Sequence, residues 1–252
     1  MGADPQLDGI RAKIERASIQ LGQFEHDAVA FQRGAYTTRV EPDFKAGVFR
    51  LFAKDMGLGD PPIQLRLLAG EIAYQLRSAL DHLAYIFAVQ VPEWGREFPI
   101  FDTRAGYEAK GRPKIKGMSA YHETIVESVQ PYKRKGDGGP AHFDPLWMLH
   151  SINNTDKHRV IPACATYPSD LRVKVQTGTG FDTHLVHMLP GITRPKDGTE
   201  ITSFPWRDLH VSVNVETFCV VAFEKIADSQ FQPIVAFFTG AICEVADIVN
   251  RF

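Results

Sequence analysis

The sequence predicts an α+β protein, a bundle of four to five helices packed with a mostly antiparallel β-sheet. Three long segments repeat apolar residues every three or four positions, which is typical of one buried helix face. Between residues 159 and 231 the chain changes to short β-branched and aromatic runs separated by Pro, Gly and Asp, and these runs predict five or six antiparallel strands.

The predicted helices differ in how clearly they begin. Asp4-Pro5 and Asp144-Pro145 each place a capping acid before a proline, which tolerates the first helical position because it has no N–H to satisfy. Pro61 and Pro62 mark the start of the central helix, since proline lacks the donor that the first turn does not need. The predicted helices cover residues 5–34, 61–91, 119–130, 144–158 and 232–251.

We expect a single compact domain spanning residues 1–252, because no stretch of the chain reads as a flexible linker. Its helical part comprises residues 1–34, 55–158 and 232–252. A β hairpin at 35–54 joins the sheet of the β-rich part at 159–231.

Composition excludes several classes of protein. The chain has 252 residues, 44% of them hydrophobic, and a formal net charge of -2, so it has no global attraction to nucleic acid or membranes. Three cysteines do not make a disulfide framework. The polar N-terminal stretch predicts no signal peptide, and the longest apolar run, 234–242, is too short to span a bilayer. We therefore expect a cytoplasmic protein without membrane partners.

The central helix, 61–91, has two contrasting faces. Leucine, isoleucine and phenylalanine form its bulky face. The opposite stripe contains Gly70, Ala73, Arg77, Asp81, Ala84 and Ala88. Such small residues predict close approach of another helix, either within the chain or across a homodimer seam. The charges of Arg77 and Asp81 must be paired if they lie in such a packed seam. His82 lies on the other flank of the helix.

A second helix, 144–158, also carries polar residues in an apolar setting. His150, Asn154 and His158 lie at i, i+4 and i+8 and share one face, whereas Asp156 falls on the apolar side. Helices of one bundle can bring such groups together with those of the central helix.

The run Arg77-Ser78-Ala79-Leu80-Asp81-His82 has the form Arg-x4-His and resembles the signature of HEPN-domain proteins. The resemblance covers the helices around 61–92 and 144–158 but not the sheet. It implies a helical, usually dimeric protein, and many members of that superfamily are metal-independent ribonucleases.

By this resemblance, Arg77 would stabilise the scissile phosphate and His82 would act as general acid or base, the two meeting across a dimer seam. Asp81 would join them in the catalytic group, with His150, Asn154, Asp156 and His158 in support. Active members commonly place a strongly polar residue such as Asn after the arginine, where this chain has Ser78, so an RNA-binding relative without activity also fits.

Two basic clusters could contact RNA phosphates. Their members are Lys110, Arg112, Lys114 and Lys116 in the first cluster, and Lys133, Arg134 and Lys135 in the second. A solvated, flexible loop is the alternative interpretation of both clusters.

Two other functions remain open at this point. Arg77 could pair with Asp81 or Asp156 in a structural ion-pair network, and the protein would then be a non-enzymatic ligand- or protein-binding module. A metal-binding bundle protein could instead use His82, His150 and an aspartate as ligands. The chain contains no P-loop, GxGxxG, HExxH, GxSxG or CxxC motif, so we predict no cofactor.

Overall fold

The computed structural model of the chain has the predicted α+β architecture. It describes residues 5–55, 60–135, 144–166, 170–177, 180–187, 197–205, 212–216, 220–226 and 229–252. The capping residue Asp4 and the predicted turn at 136–140 lie outside these residues.

All five predicted helices are present in the structure. Their bounds are α1 at Asp8–Ala35, α2 at Ile63–Phe87, α4 at Ala120–Ser128, α6 at Pro145–Asp156 and α7 at Ile234–Asn250. The central helix ends four residues earlier than predicted, and the Gln90 N–H donates to the Lys116 carbonyl oxygen instead of to a helical carbonyl. The last helix begins after Pro233, because residues 229–233 form a strand.

The segment between α2 and α6 is more helical than predicted. It contains 3-10 turns at Glu93–Gly95 and Arg112–Ile115, α3 at Arg104–Gly106 and a π-helical turn at Tyr107–Gly111. A short helix, α5, follows at Pro131–Lys135. The two basic clusters therefore lie in or beside helical turns rather than in loops.

Gln130 holds the extended segment 98–101 in place. Its Nε2 donates to the carbonyl oxygens of Pro99 and Val126, at 2.8 and 2.9 Å, and its Oε1 accepts from the Phe101 N–H at 3.0 Å. Gln130 is fully buried, so each of these bonds forms away from water, where an unpaired amide would be costly. Residues 98–101 are therefore fixed without belonging to a strand.

Nine strands form three three-stranded sheets within the described residues. Their bounds are β1 Tyr36–Asp43, β2 Val48–Asp55, β3 Ala163–Thr166, β4 Asp170–Thr177, β5 Gly180–His187, β6 Glu200–Pro205, β7 Ser212–Glu216, β8 Val220–Ile226 and β9 Ser229–Pro233. The sheet orders are β1-β2-β6, β3-β8-β9 and β5-β4-β7. The β1–β2 hairpin pairs antiparallel with β6, as predicted, with a register shift between Leu51 and Phe52. Strand β4 pairs antiparallel with β5 and β7.

The chain divides into two compact units. One comprises Met1–Glu25, Ile63–Pro162 and Phe223–Phe252, and the other comprises His26–Pro62 and Ala163–Ala222. The first corresponds closely to the predicted helical part, and the second contains the hairpin and most of the β-rich part. Folding of both units as a single domain stays a prediction.

Helix α6 begins at a buried acid, as the sequence predicts. Asp144 caps the helix by accepting from the N–H groups of Leu146 and Trp147, and it also pairs with Arg134 at 2.8 Å. The cap satisfies backbone donors at the start of the helix that have no partner within it. In the part of the chain that the structure describes, no helix is long and apolar enough to cross a membrane.

The small-residue face of α2 packs within the chain. Helices α6 and α7 both lie against α2, and the approach is closest at Gly70. A Cβ atom at Gly70 would lie 2.2 Å from Oδ1 of Asp156, so any larger residue must displace that carboxylate. The predicted intrachain helix pair is confirmed.

Replacing Gly70 by alanine is expected to lower the free energy of unfolding by about 1–3 kcal/mol, because the new methyl group displaces the Asp156 carboxylate. Urea unfolding followed by circular dichroism measures the change. Adding Asp156→Ala to Gly70→Ala removes the displaced group and should restore most of the loss. Equal stability of Gly70→Ala and the unmodified protein would contradict this packing.

Candidate functional site

Arg77 is the buried centre of a cluster of charged groups between α2 and the following segment. Only 4% of its side chain is exposed. Its Nη2 lies 2.8 Å from Asp81 Oδ1 and 3.0 Å from Glu97 Oε1, and it donates to the carbonyl oxygen of Phe98 at 2.7 Å. One guanidinium nitrogen is thus shared among three oxygen atoms, which fixes the position of the whole group.

Asp81 links α2 to the extended segment. Asp81 lies one helical turn after Arg77, and its Oδ1 accepts from the Phe98 N–H at 3.0 Å. Burial raises the pKa of this carboxyl, although the charge of Arg77 acts in the opposite direction. Asp81 and Arg77 therefore hold both polar groups of the Phe98 backbone.

Glu97 and Lys114 cover the cluster on its solvent side. Glu97 accepts from Arg77 through Oε1 and from the Lys114 ammonium through Oε2. The side chains are 40% and 35% exposed, in contrast to the buried Arg77. Burial alone would raise the pKa of Glu97, but the Lys114 hydrogen bond and the charges of Arg77 and Lys114 hold it below its ordinary value. Glu97 is thus an anion bound by two cations.

His150 brings α6 into the same electrostatic environment. Burial first, and then the positive charge of Arg77, lower the pKa of His150 to about 4, so the ring is neutral at pH 7. The amide nitrogen of Asn154 lies 2.9 Å from His150 Nε2. With that amide as donor, Nε2 accepts and the ring proton resides on Nδ1.

Two nitrogens of this cluster have no hydrogen-bond partner within the described part of the chain. Nη1 of Arg77 and Nδ1 of His150 are both buried, and neither meets an acceptor among the described residues. Each is a donor, since guanidinium nitrogens always carry protons and Nδ1 holds the proton of the neutral ring. Buried donors are normally paired, and each of these two suits an acceptor oxygen such as those of an anion.

The other predicted site residues lie elsewhere. His82 is exposed, and partial desolvation followed by the charge of Lys13 lowers its pKa. His158 is exposed beyond the end of α6. Asp156 packs at Gly70, where burial and then the charge of Glu71 raise its pKa. The predicted Arg77–Asp81 pair is confirmed, whereas the Arg77 contacts go to Asp81, Glu97 and Phe98 rather than to Asp156.

The predicted RNA-contacting residues fall into two groups. Lys114, Lys133 and Arg134 form ion pairs, with Glu97, with Glu127 and with both Asp144 and Glu244, respectively. Lys110, Arg112, Lys116 and Lys135 are exposed. The first basic cluster thus combines one cation that binds Glu97 with three that face solvent.

Two members of the Arg77 cluster, Glu97 and Lys114, were not predicted as catalytic or supporting residues. Glu97 was not singled out, and Lys114 was counted only among the basic residues. Both lie outside the two predicted helices 61–91 and 144–158, 20 and 37 positions after Arg77. One feature of the sequence does point to Glu97. A buried arginine needs more than a single carboxylate partner, and Glu97 is an acid that directly precedes the apolar segment Phe98–Phe101.

The predicted metal ligands do not assemble. Across the described ranges, no group of three or more His, Cys, Asp or Glu side chains is arranged to hold a metal ion. His82 and His150 belong to different surroundings, the first near Lys13 and the second near Arg77. The arrangement instead suits binding of an anion by hydrogen-bond donors.

Comparison of the chain with protein-family models, with curated proteins and with solved structures found no match in any of the three.

Proposed function

We propose that the protein is a HEPN-like, metal-independent endoribonuclease whose scissile phosphate binds at Arg77 and His150. The observation that carries the proposal is the pair of buried donors without an acceptor, Arg77 Nη1 and His150 Nδ1. Non-bridging phosphate oxygens accept such hydrogen bonds, and donors fixed beforehand stabilise the charge that develops during phosphoryl transfer. A cytoplasmic location forms part of the proposal.

Each residue of the cluster has a role in this proposal. Arg77 binds the phosphate, Asp81 fixes the arginine, and His150, oriented by Asn154, donates a second hydrogen bond. His82 removes the proton from the ribose 2′-hydroxyl, which attacks phosphorus and expels the 5′-oxygen. The 5′-oxygen takes a proton from solvent and leaves as a 5′-hydroxyl, and the other product is a 2′,3′-cyclic phosphate. Lys110, Arg112 and Lys116, which are exposed near Lys114, bind flanking phosphates.

A homodimer completes the proposed site. His82 is exposed on a flank of α2 away from the Arg77 contacts, so it would act on RNA bound to a second copy. An exposed apolar stripe on α2, made of Ile63, Leu67, Tyr74 and Tyr85, supports association through this helix. These four positions lie within about 40° of one another around the helix axis.

Purified protein is expected to cleave single-stranded RNA in the presence of EDTA and to leave the 2′-deoxy analogue intact. Arg77→Lys and His82→Gln should each lower kcat/KM by about 100-fold or more, since each loses a transition-state contact or a proton acceptor. His26→Gln, on the exposed side of α1, is the matched control and should retain full activity. Gel analysis of end-labelled RNA measures the rates, and circular dichroism verifies folding.

Mixing two inactive variants tests the homodimer. In a mixture of Arg77→Lys and His82→Gln chains that exchange freely, about a quarter of the sites would contain both original residues, and activity should return to that level. No cleavage by the unmodified protein would refute the ribonuclease proposal. Cleavage without recovery in the mixture would refute the shared site and leave the two residues acting within one chain.

A further inference from the structure

Arg77 has a free nitrogen, but its guanidinium is shielded from solvent by its own partners. The arginine side chain is 4% exposed, whereas those of Asp81, Glu97 and Lys114 are 34%, 40% and 35% exposed. A ligand approaching from solvent therefore meets these three groups first. Of the two acids, Asp81 accepts through Oδ1 from both Arg77 and the Phe98 N–H, so one of its contacts is to the backbone.

Glu97 is the acid whose contacts a phosphate group could replace. Its two carboxylate oxygens are divided between two cations, Oε1 on Arg77 and Oε2 on Lys114. A phosphate offers the same arrangement of oxygens with at least the same charge, and guanidinium and ammonium groups are its usual partners in proteins.

The charge of the cluster favours this exchange. Arg77 and Lys114 carry two positive charges, and Asp81 and Glu97 balance them when ionised. When Glu97 swings toward solvent, the remaining three groups carry one net positive charge. That charge, together with the two free donors, Arg77 Nη1 and His150 Nδ1, would attract an external anion.

We propose that Glu97 occupies the binding site of an external phosphate group, which displaces it and binds between Arg77 and Lys114. Glu97 thus acts as an internal competitor that closes the site in the absence of ligand. This inference rests on the proposed function for the identity of the natural ligand, an RNA phosphodiester. It assigns to Lys114 a role in phosphate binding and to Glu97 a role in inhibition.

Binding is measured by isothermal titration calorimetry at constant ionic strength, with inorganic phosphate and with a 2′-deoxy oligonucleotide that cannot be cleaved. Glu97→Gln removes the competing charge but retains an oxygen for Arg77, and it should bind both probes about tenfold more tightly. Glu93→Gln is the matched control, since Glu93 is an exposed acid four positions earlier, and it should bind like the unmodified protein. Adding Lys114→Gln to Glu97→Gln should reverse the gain.

A second variant protects the test against unfolding of Glu97→Gln. Glu97→Asp keeps the charge but shortens the side chain by one methylene, so it cannot reach both cations and should also bind phosphate more tightly. Affinities equal to those of Glu93→Gln in both variants would overturn the inference, as would a gain that survives Lys114→Gln. Tighter phosphate binding without RNA cleavage would refute only the ribonuclease, and cleavage without tighter binding would refute only the role of Glu97.

Discussion

Arg77→Met is expected to lower the free energy of unfolding by about 2–4 kcal/mol. Methionine fills much of the buried volume but donates no hydrogen bond, so the Phe98 carbonyl oxygen loses its Arg77 donor. The Asp81 carboxylate loses its cationic partner and keeps only the Phe98 N–H. Asp81 and Glu97 are partly exposed and water screens their charges, which keeps the expected loss below that for a fully buried ion pair.

Urea unfolding followed by tryptophan fluorescence measures this loss. The matched control is Arg11→Met, which breaks an exposed pair with Asp8 and should change stability by no more than about 0.5 kcal/mol. Adding Asp81→Asn to Arg77→Met removes the unpaired charge but retains an oxygen for the Phe98 N–H, so part of the stability should return. An Arg77→Met variant as stable as Arg11→Met would show that the cluster contributes little to folding.

Lowering the pH is expected to destabilise the protein through His150, by up to about 3 kcal/mol between pH 6.5 and pH 4. The pKa of His150 is about 4 in the folded protein against an ordinary value of 6.5. Between pH 6.5 and pH 4, His150 binds a proton in the unfolded chain but stays neutral in the folded chain. The contribution of His150 to the free energy of unfolding is therefore complete above pH 6.5 and is lost as the pH falls to 4.

Neighbouring groups modify this pH dependence. Arg77, Asp81, Glu97, Lys114 and Lys157 all lie in the electrostatic environment of the site. The raised pKa of Asp81 acts in the opposite sense, because the folded state then binds a proton more readily than the unfolded state does. The total slope of the unfolding free energy against pH therefore does not report on His150 alone. Comparison of variants identifies the part of that slope that is due to His150.

Unfolding free energies of His150→Gln at several pH values isolate that part. This variant should lose much of the decline between pH 6.5 and pH 4, whereas the exposed control His26→Gln should retain it. Parallel curves for His150→Gln and the unmodified protein would contradict the depressed pKa of His150.

The helices and strands were predictable because their signals are local. The apolar spacing of α1, α2 and α7 and the proline-marked starts of α2 and α6 are legible in short windows of sequence. The basic segment around Lys110 has no helical periodicity in its sequence, because lysine and glycine recur there. In the structure, burial of Tyr107 and Ile115 holds these turns in place, and such tertiary packing overrides local preference.

The candidate site was predictable only in part. Spacing along one helix placed Arg77 beside Asp81 and separated both from His82, and the structure has the same arrangement. Glu97 and Lys114 depend instead on the path of the chain after Phe87, which Gln130 fixes from about thirty positions further along the sequence. No periodicity connects such distant residues, so the anion between two cations was not foreseeable.

Two backbone amides of the segment 98–101 are held by side chains, which affects how quickly they exchange their protons with solvent. Phe98 and Phe101 lie in an extended segment outside any strand, yet their backbone amides donate to side chains, Asp81 Oδ1 and the buried Gln130 Oε1. Amides in irregular segments usually exchange quickly with solvent deuterium, whereas these two must wait for the segment to detach. Their exchange rates therefore report on opening beside Arg77, and α2, which supplies Asp81 from a helix, can stay closed while they exchange.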